Sequence, residues 1–149
     1  MRFFILAAAV LVAASCNDTD AVPTSDVEGA YILVSVRNEP LPARAPCSPL
    51  RIQSAHLGLG HYGRASYQVW MIDDLTGQIV TFDATGTFHV DGDVVVVNVT
   101  GGWTQSGLTS TSVLEFEILE ERMLARRNVG AECDASGTEI YARGVLIEL

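Results

Sequence analysis

The side chains with most chemical capacity in this chain are three cysteines (Cys16, Cys47, Cys133), three histidines (His56, His61, His89) and two acidic clusters, Asp73-Asp74 and Asp91-Gly92-Asp93. A histidine pair can hold a metal ion, but on an extended strand His56 and His61 point to opposite faces and make no preformed pair. The acidic clusters lack the alternating carboxylates of a calcium loop and read as turns. Cys47 and Cys133 are too far apart for a redox Cys-x-x-Cys. No serine occupies Gly-x-Ser-x-Gly, and no glycine-rich loop follows a strand to cradle phosphate. No catalytic residue, metal site or cofactor is therefore expected, and the chain reads as a non-enzyme.

Charge narrows the partners further. All nine basic residues are arginine, against eighteen acidic ones, for a net charge of −9. Loss of residues 1–15 would remove only Arg2 and leave −10. Nucleic acid is disfavoured, because binding to phosphates is driven by clustered Lys and Arg.

The elements that position these residues begin with an export segment. Residues 1–15 carry one charge, Arg2, and then an uninterrupted apolar run from Phe3 to Ala14. This reads as a signal peptide, since a membrane-spanning helix needs roughly 20 apolar residues. Cys16 follows the small residues Ala13-Ala14-Ser15, an arrangement that resembles the lipobox of bacterial lipoproteins, although Ala13 stands where Leu is usual. The resemblance implies that Cys16 is acylated and becomes the first residue of the mature chain, anchoring it to a membrane through lipid. Residues 16–26 are then the lipidated cysteine and a flexible, acidic tether. Asn17, where Asp would resemble an inner-membrane retention signal, implies delivery to the outer membrane of the cell envelope.

Residues 27–149 read as one all-β domain, since the length allows a single core. The stretch 27–42 reads as the opening strand, with alternating apolar positions and Asn38, Pro40 and Pro42 ending it. Further apolar runs follow at 50–59, 65–73, 78–84, 86–90, 93–100, 111–119, 122–129 and 138–148, separated by turn signals. Asp91-Gly92 is a strong hairpin signal, and Leu114, Phe116 and Ile118 alternate with Glu115 and Glu117 as in a half-buried strand. No convincing helix is present. Roughly eight strands in a meander suit a single antiparallel up-and-down barrel, whose closure removes both sheet edges.

Gly29-Ala30-Tyr31 with Leu33, Asn38 and Leu41-Pro42, the Gly86-Thr87-Phe88 strand before Asp91-Gly92, and Tyr141-Ala142-Arg143 together resemble small bacterial lipocalin-like lipoprotein domains. In lipocalins the first strand carries Gly-x-Trp, and an Arg of the last strand lies across that ring to close one end. Here Tyr31 stands in the place of Trp, so Gly29, Tyr31 and Arg143 are the expected barrel closure, with a guanidinium over an aromatic ring as a favourable contact. An immunoglobulin-type sandwich, suggested by the order Cys47, Trp70, Cys133, lacks the tyrosine that fold places two residues before its second cysteine. With Cys16 taken by lipid in an exported chain, Cys47 and Cys133 are expected to form a disulfide near the barrel seam.

Two functions compete on these grounds. One is a lipid-anchored envelope binding module holding a small apolar or amphipathic molecule in the barrel mouth. The other is an envelope scaffold with a filled core, binding another envelope protein through the apolar outer faces of 31–36 and 94–97. Inward Ala65, Ser66 or Gly86 would favour a pocket, and inward Trp70, Phe82 and Phe116 a solid core. The bland expectation for the outer apolar faces is that the segment 41–50 folds over them.

Overall fold

Alternation with a period of two dictates the architecture. In the strand Gly29–Val36, which we label β1, Tyr31 and Leu33 are buried while Ala30, Ile32 and Val34 are exposed. A computed structural model of the chain describes residues 24–120, 122–129 and 137–144. One helical turn, α1 (Thr24–Val27), leads into β1. Two short strands follow, β2 (Glu39–Pro40) and β3 (Ala43–Arg44), and then seven long ones: β4 (Leu50–Gly60), β5 (Arg64–Asp73), β6 (Ile79–Asp91), β7 (Val94–Trp103), β8 (Thr109–Glu120), β9 (Met123–Val129) and β10 (Gly137–Arg143).

Consecutive long strands pair antiparallel from β4 to β10, and β1 pairs with both β10 and β4. The sheet therefore closes as an eight-stranded, up-and-down antiparallel barrel with a lipocalin-like architecture. Closure satisfies the backbone donors and acceptors that an open sheet would leave along its two edges.

The expected runs at 78–84 and 86–90 are one continuous strand, β6. Gly86 does not break the ladder, because its lack of a Cβ is what lets β7 approach. A Cβ there would lie 1.8 Å from the Asn98 carbonyl oxygen, while the register runs unbroken through Thr85↔Thr100 and Gly86↔Val99. The turn after β1 uses Arg37 and Asn38 at φ 54° and 65°, the left-handed pair of a tight hairpin joining Val36 to Glu39. The hairpin between β6 and β7 turns at Gly92, φ 61°.

Inside the barrel, Tyr31, Leu33, Leu57, Val95, Val97, Phe116 and Tyr141 are essentially inaccessible to solvent. Phe116 meets Tyr141 edge-on at 5.4 Å between ring centroids, a favoured aromatic geometry. The expected cover over the outer apolar faces is not where the sequence suggested. Ile32 and Val34 each remain 43% exposed. The segment after β1 turns inward instead, with Ala43 and Ala45 buried in the core and Leu41 packed against it. Two small alanines fit a barrel end better than a flat exterior, which is the physical reason this connection behaves as a plug.

Candidate functional site

The two ends of the barrel differ. At one end α1 caps the interior, and Tyr31 donates its hydroxyl hydrogen to the Val27 carbonyl at 2.8 Å. Arg143 lies opposite Tyr31 in the β1–β10 register. Its guanidinium donates to the carbonyl oxygens of Asp26, at 3.3 Å, and of Glu28. Gly29 makes room for that side chain, since a Cβ there would stand 2.5 Å from Arg143 Nε. Gly29, Tyr31 and Arg143 therefore lie together at this end of the barrel. The guanidinium is held by backbone carbonyls that follow from the capping turn, a partner the sequence pattern did not suggest.

The other end is the mouth. The β5–β6 turn at 74–78 and the β7–β8 turn at 104–108 flank it, tied together where Gln105 Nε2 donates to the Ile79 carbonyl at 2.9 Å. Ala45 and Pro46 of the connection after β3 lie across it. Beneath them is a cavity of about 300 Å³, walled by Met71, Phe82 and Trp103 among others, with Ser112 on one side and Arg126 and Glu139 at its polar edge. Phe82 and Trp103 stand 5.0 Å apart between centroids.

Both ends thus hold a cavity: the one beneath Ala45 and Pro46 at the mouth, and one of about 600 Å³ at the capped end beside Val27, Tyr31, Leu124 and Arg143. Phe82 and Phe116 face inward, as a solid core would require, whereas Trp70 lies outside against His56 at 5.0 Å. Ala65 is inward and Ser66 outward. Neither of the two simple alternatives for the interior describes the whole barrel.

Between the packed part and the cavity runs a buried polar network. Tyr141 donates its hydroxyl hydrogen to Glu139 Oε2 at 2.9 Å, and its oxygen lies 3.2 Å from that of Tyr67. Arg126 Nη1 reaches the same carboxylate oxygen at 3.4 Å. Glu139 is 3% exposed and is the one charged residue in the core among the described residues. A buried carboxylate is tolerable only when paired and hydrogen-bonded, and both conditions are met here.

The network shifts the proton affinities of its members. Burial pushes the Tyr67 phenol up to about 12, helped by the adjacent Glu139 charge. Burial likewise raises Tyr141 well above an ordinary tyrosine, with Tyr67 and Glu139 adding to it. Burial alone would pull Arg126 down, but the neighbouring Glu139, Tyr67 and Tyr141 outweigh it and hold the guanidinium protonated.

A consequence for alkaline stability follows. With a folded value of about 12 against an ordinary 10.0, the Tyr67 contribution is complete below pH 10 and is lost as the pH climbs through that window. The loss is about 1.4 kcal/mol for each pH unit. Equilibrium unfolding measured across this range should show the decline, and Tyr67→Phe should lessen its slope, leaving the part that Tyr141 contributes. An equal slope in the variant would show that Tyr67 does not titrate in this way.

The remaining residues of interest lie apart from the mouth. His56 meets Trp70 edge-on, and His61 Nδ1 contacts Glu28 Oε2 at 2.6 Å near the capped end. Asp73 accepts the backbone N–H of Leu75 at 2.8 Å, as a turn residue would. Among the described residues no three His, Cys, Asp or Glu side chains cluster as metal ligands. Cys47 sits between β3 and β4 at φ 57°. Cys16, the expected signal peptide, most of the expected tether and Cys133 lie outside the described residues. No protein-family model, curated protein or solved structure matches the chain.

Proposed function

We propose that this protein is a lipid-anchored binding module of the cell envelope, which holds a small apolar or amphipathic molecule in the mouth of its barrel. The observation that carries this reading is the cavity of about 300 Å³ with an apolar wall and a charged, hydrogen-bonded floor. That volume is at the small end for ligand sites, and an apolar pocket with a few convergent polar groups is what such sites have in common. A solid scaffold barrel has no need to bury Glu139 and Arg126 beside an opening.

Anchoring through acylated Cys16 and placement at the outer membrane rest on the lipobox-like segment and on Asn17. Kinship with lipocalin-like lipoproteins rests on those residues together with the closed barrel and the meeting of Gly29, Tyr31 and Arg143. A Cys47–Cys133 disulfide completes the proposal. It is supported by export and by the state of Cys47 as a bonded cysteine. No nucleic-acid partner, cofactor or enzymatic activity is part of the reading.

Native mass spectrometry of protein purified from its own host without refolding tests both parts. The expected spectrum shows an acylated chain starting at Cys16, together with a reproducible bound small molecule. An unmodified chain beginning elsewhere removes the anchor. Ligand-free protein that no lipid or metabolite stabilises removes the binding function.

The alternative is a protein-interaction scaffold, favoured by one observation, the exposed outer pair Ile32 and Val34 on β1. A co-purifying envelope protein released by Ile32→Ser/Val34→Thr, with no small molecule present, would support it.

A further inference from the structure

Resting on the reading of the mouth as a ligand site, the polar edge of the cavity specifies what kind of head group enters. Arg126 and Glu139 are opposite charges in contact, so the floor of the cavity sums to no net charge. The tyrosines beside it stay neutral, since burial disfavours their ionised forms. The two charged partners are unequally available. Glu139 is nearly sealed, with a side chain 4% exposed and Oε2 already occupied by Tyr141 and Arg126, whereas the Arg126 side chain is 27% exposed and lines the cavity. A guanidinium carries five N–H donors, and the walls nearby offer the hydroxyls of Ser110 and Ser112.

A carboxylate head would reach the same guanidinium, but it would bring a second negative charge beside Glu139 into a poorly solvated space. Like charges at such a site oppose each other, and a protein of net charge −9 does not attract anions to its openings. An ammonium head would face Arg126 before it could reach the sealed Glu139. A neutral head with an acceptor oxygen, such as an amide, carbonyl or hydroxyl, takes a hydrogen bond from Arg126 and leaves the charge balance intact. We propose that the mouth selects neutral amphipathic molecules, with the hydrogen-bonding head at Arg126 and the serines and the apolar body against Met71, Phe82 and Trp103, and discriminates against their ionised counterparts.

Three isosteric probes test this: para-butylbenzamide, para-butylbenzoate and para-butylbenzylamine, titrated calorimetrically into the full-length protein at neutral pH. The amide should bind at least about ten-fold more tightly than either ion. Glu139→Gln leaves the guanidinium without its counter-charge while keeping an acceptor for Tyr141, and should reverse the order of amide and benzoate. Arg126→Gln should instead favour the amine. Benzoate or amine binding as tightly as the amide to the unaltered protein overturns the inference while leaving the mouth a ligand site. Failure of all three to bind overturns both. The order of affinities in the unaltered protein decides the matter even if neither variant folds.

Discussion

Replacing Glu139 with alanine should lower the free energy of unfolding by about 3–5 kcal/mol, the cost of stranding one partner of a buried ion pair. Glu139 Oε2 takes both the Tyr141 hydroxyl and Arg126 Nη1, and the residue is 3% exposed. Its removal leaves a largely enclosed guanidinium without a counter-charge and a buried phenol without an acceptor. The pair as a whole has a different effect from either partner alone. Burying two charges costs nearly what their attraction returns, so Arg126→Met/Glu139→Leu should recover most of the loss. Urea unfolding of Arg126→Met, Glu139→Leu and the double variant measures the coupling directly. Additive losses would mean that the two charges do not interact in solution.

Phe116→Ala should cost a similar amount, about 3–5 kcal/mol, for a different reason. Phe116 is fully buried and packs edge-on against Tyr141. Truncation opens a void beneath the polar network that closed strands cannot collapse to fill. Phe116→Leu keeps much of the volume and should lose considerably less. The slope of unfolding against urea should stay unchanged in both variants, since the native barrel and the surface it exposes on unfolding are the same. A loss below about 1 kcal/mol for the alanine variant would contradict the packed interior described here, because that is the range of conservative core changes.

Much of the fold was legible because barrels write their alternation into sequence. Tyr31 and Leu33, or Leu114 and Phe116, mark inward faces with a period of two, and Asp91-Gly92 and Asn38 mark turns. The division between the runs 78–84 and 86–90 does not exist in the structure, because Gly86 admits the close approach of Asn98 within one continuous strand. The path of the connection at 41–50 was not legible either. Its small apolar residues suit the exterior or the mouth equally well until closure of the barrel leaves an end to plug.

The candidate site was less visible than the fold. Gly29, Tyr31 and Arg143 could be grouped by resemblance, but the carbonyls that hold Arg143 come from a turn with no periodic signature. Arg126 and Glu139 lie in the apolar runs 122–129 and 138–148 with no motif to single them out. One signal was available: Glu139 shares the alternation phase of Tyr141, so the face that buries the tyrosine must also bury the carboxylate. What a single strand could not supply was its partner, since Arg126 meets Glu139 only through the β9–β10 register.

We propose binding at the mouth of the barrel and not at its outer wall. Backbone amide chemical-shift mapping tests it most directly, with the protein exposed to a lipid and metabolite extract of its host. Perturbations should concentrate at Ala45, Met71, Trp103, Ser112 and Arg126, around the cavity. Perturbations confined to Ile32, Val34 and their neighbours on the outer face of β1 would contradict it.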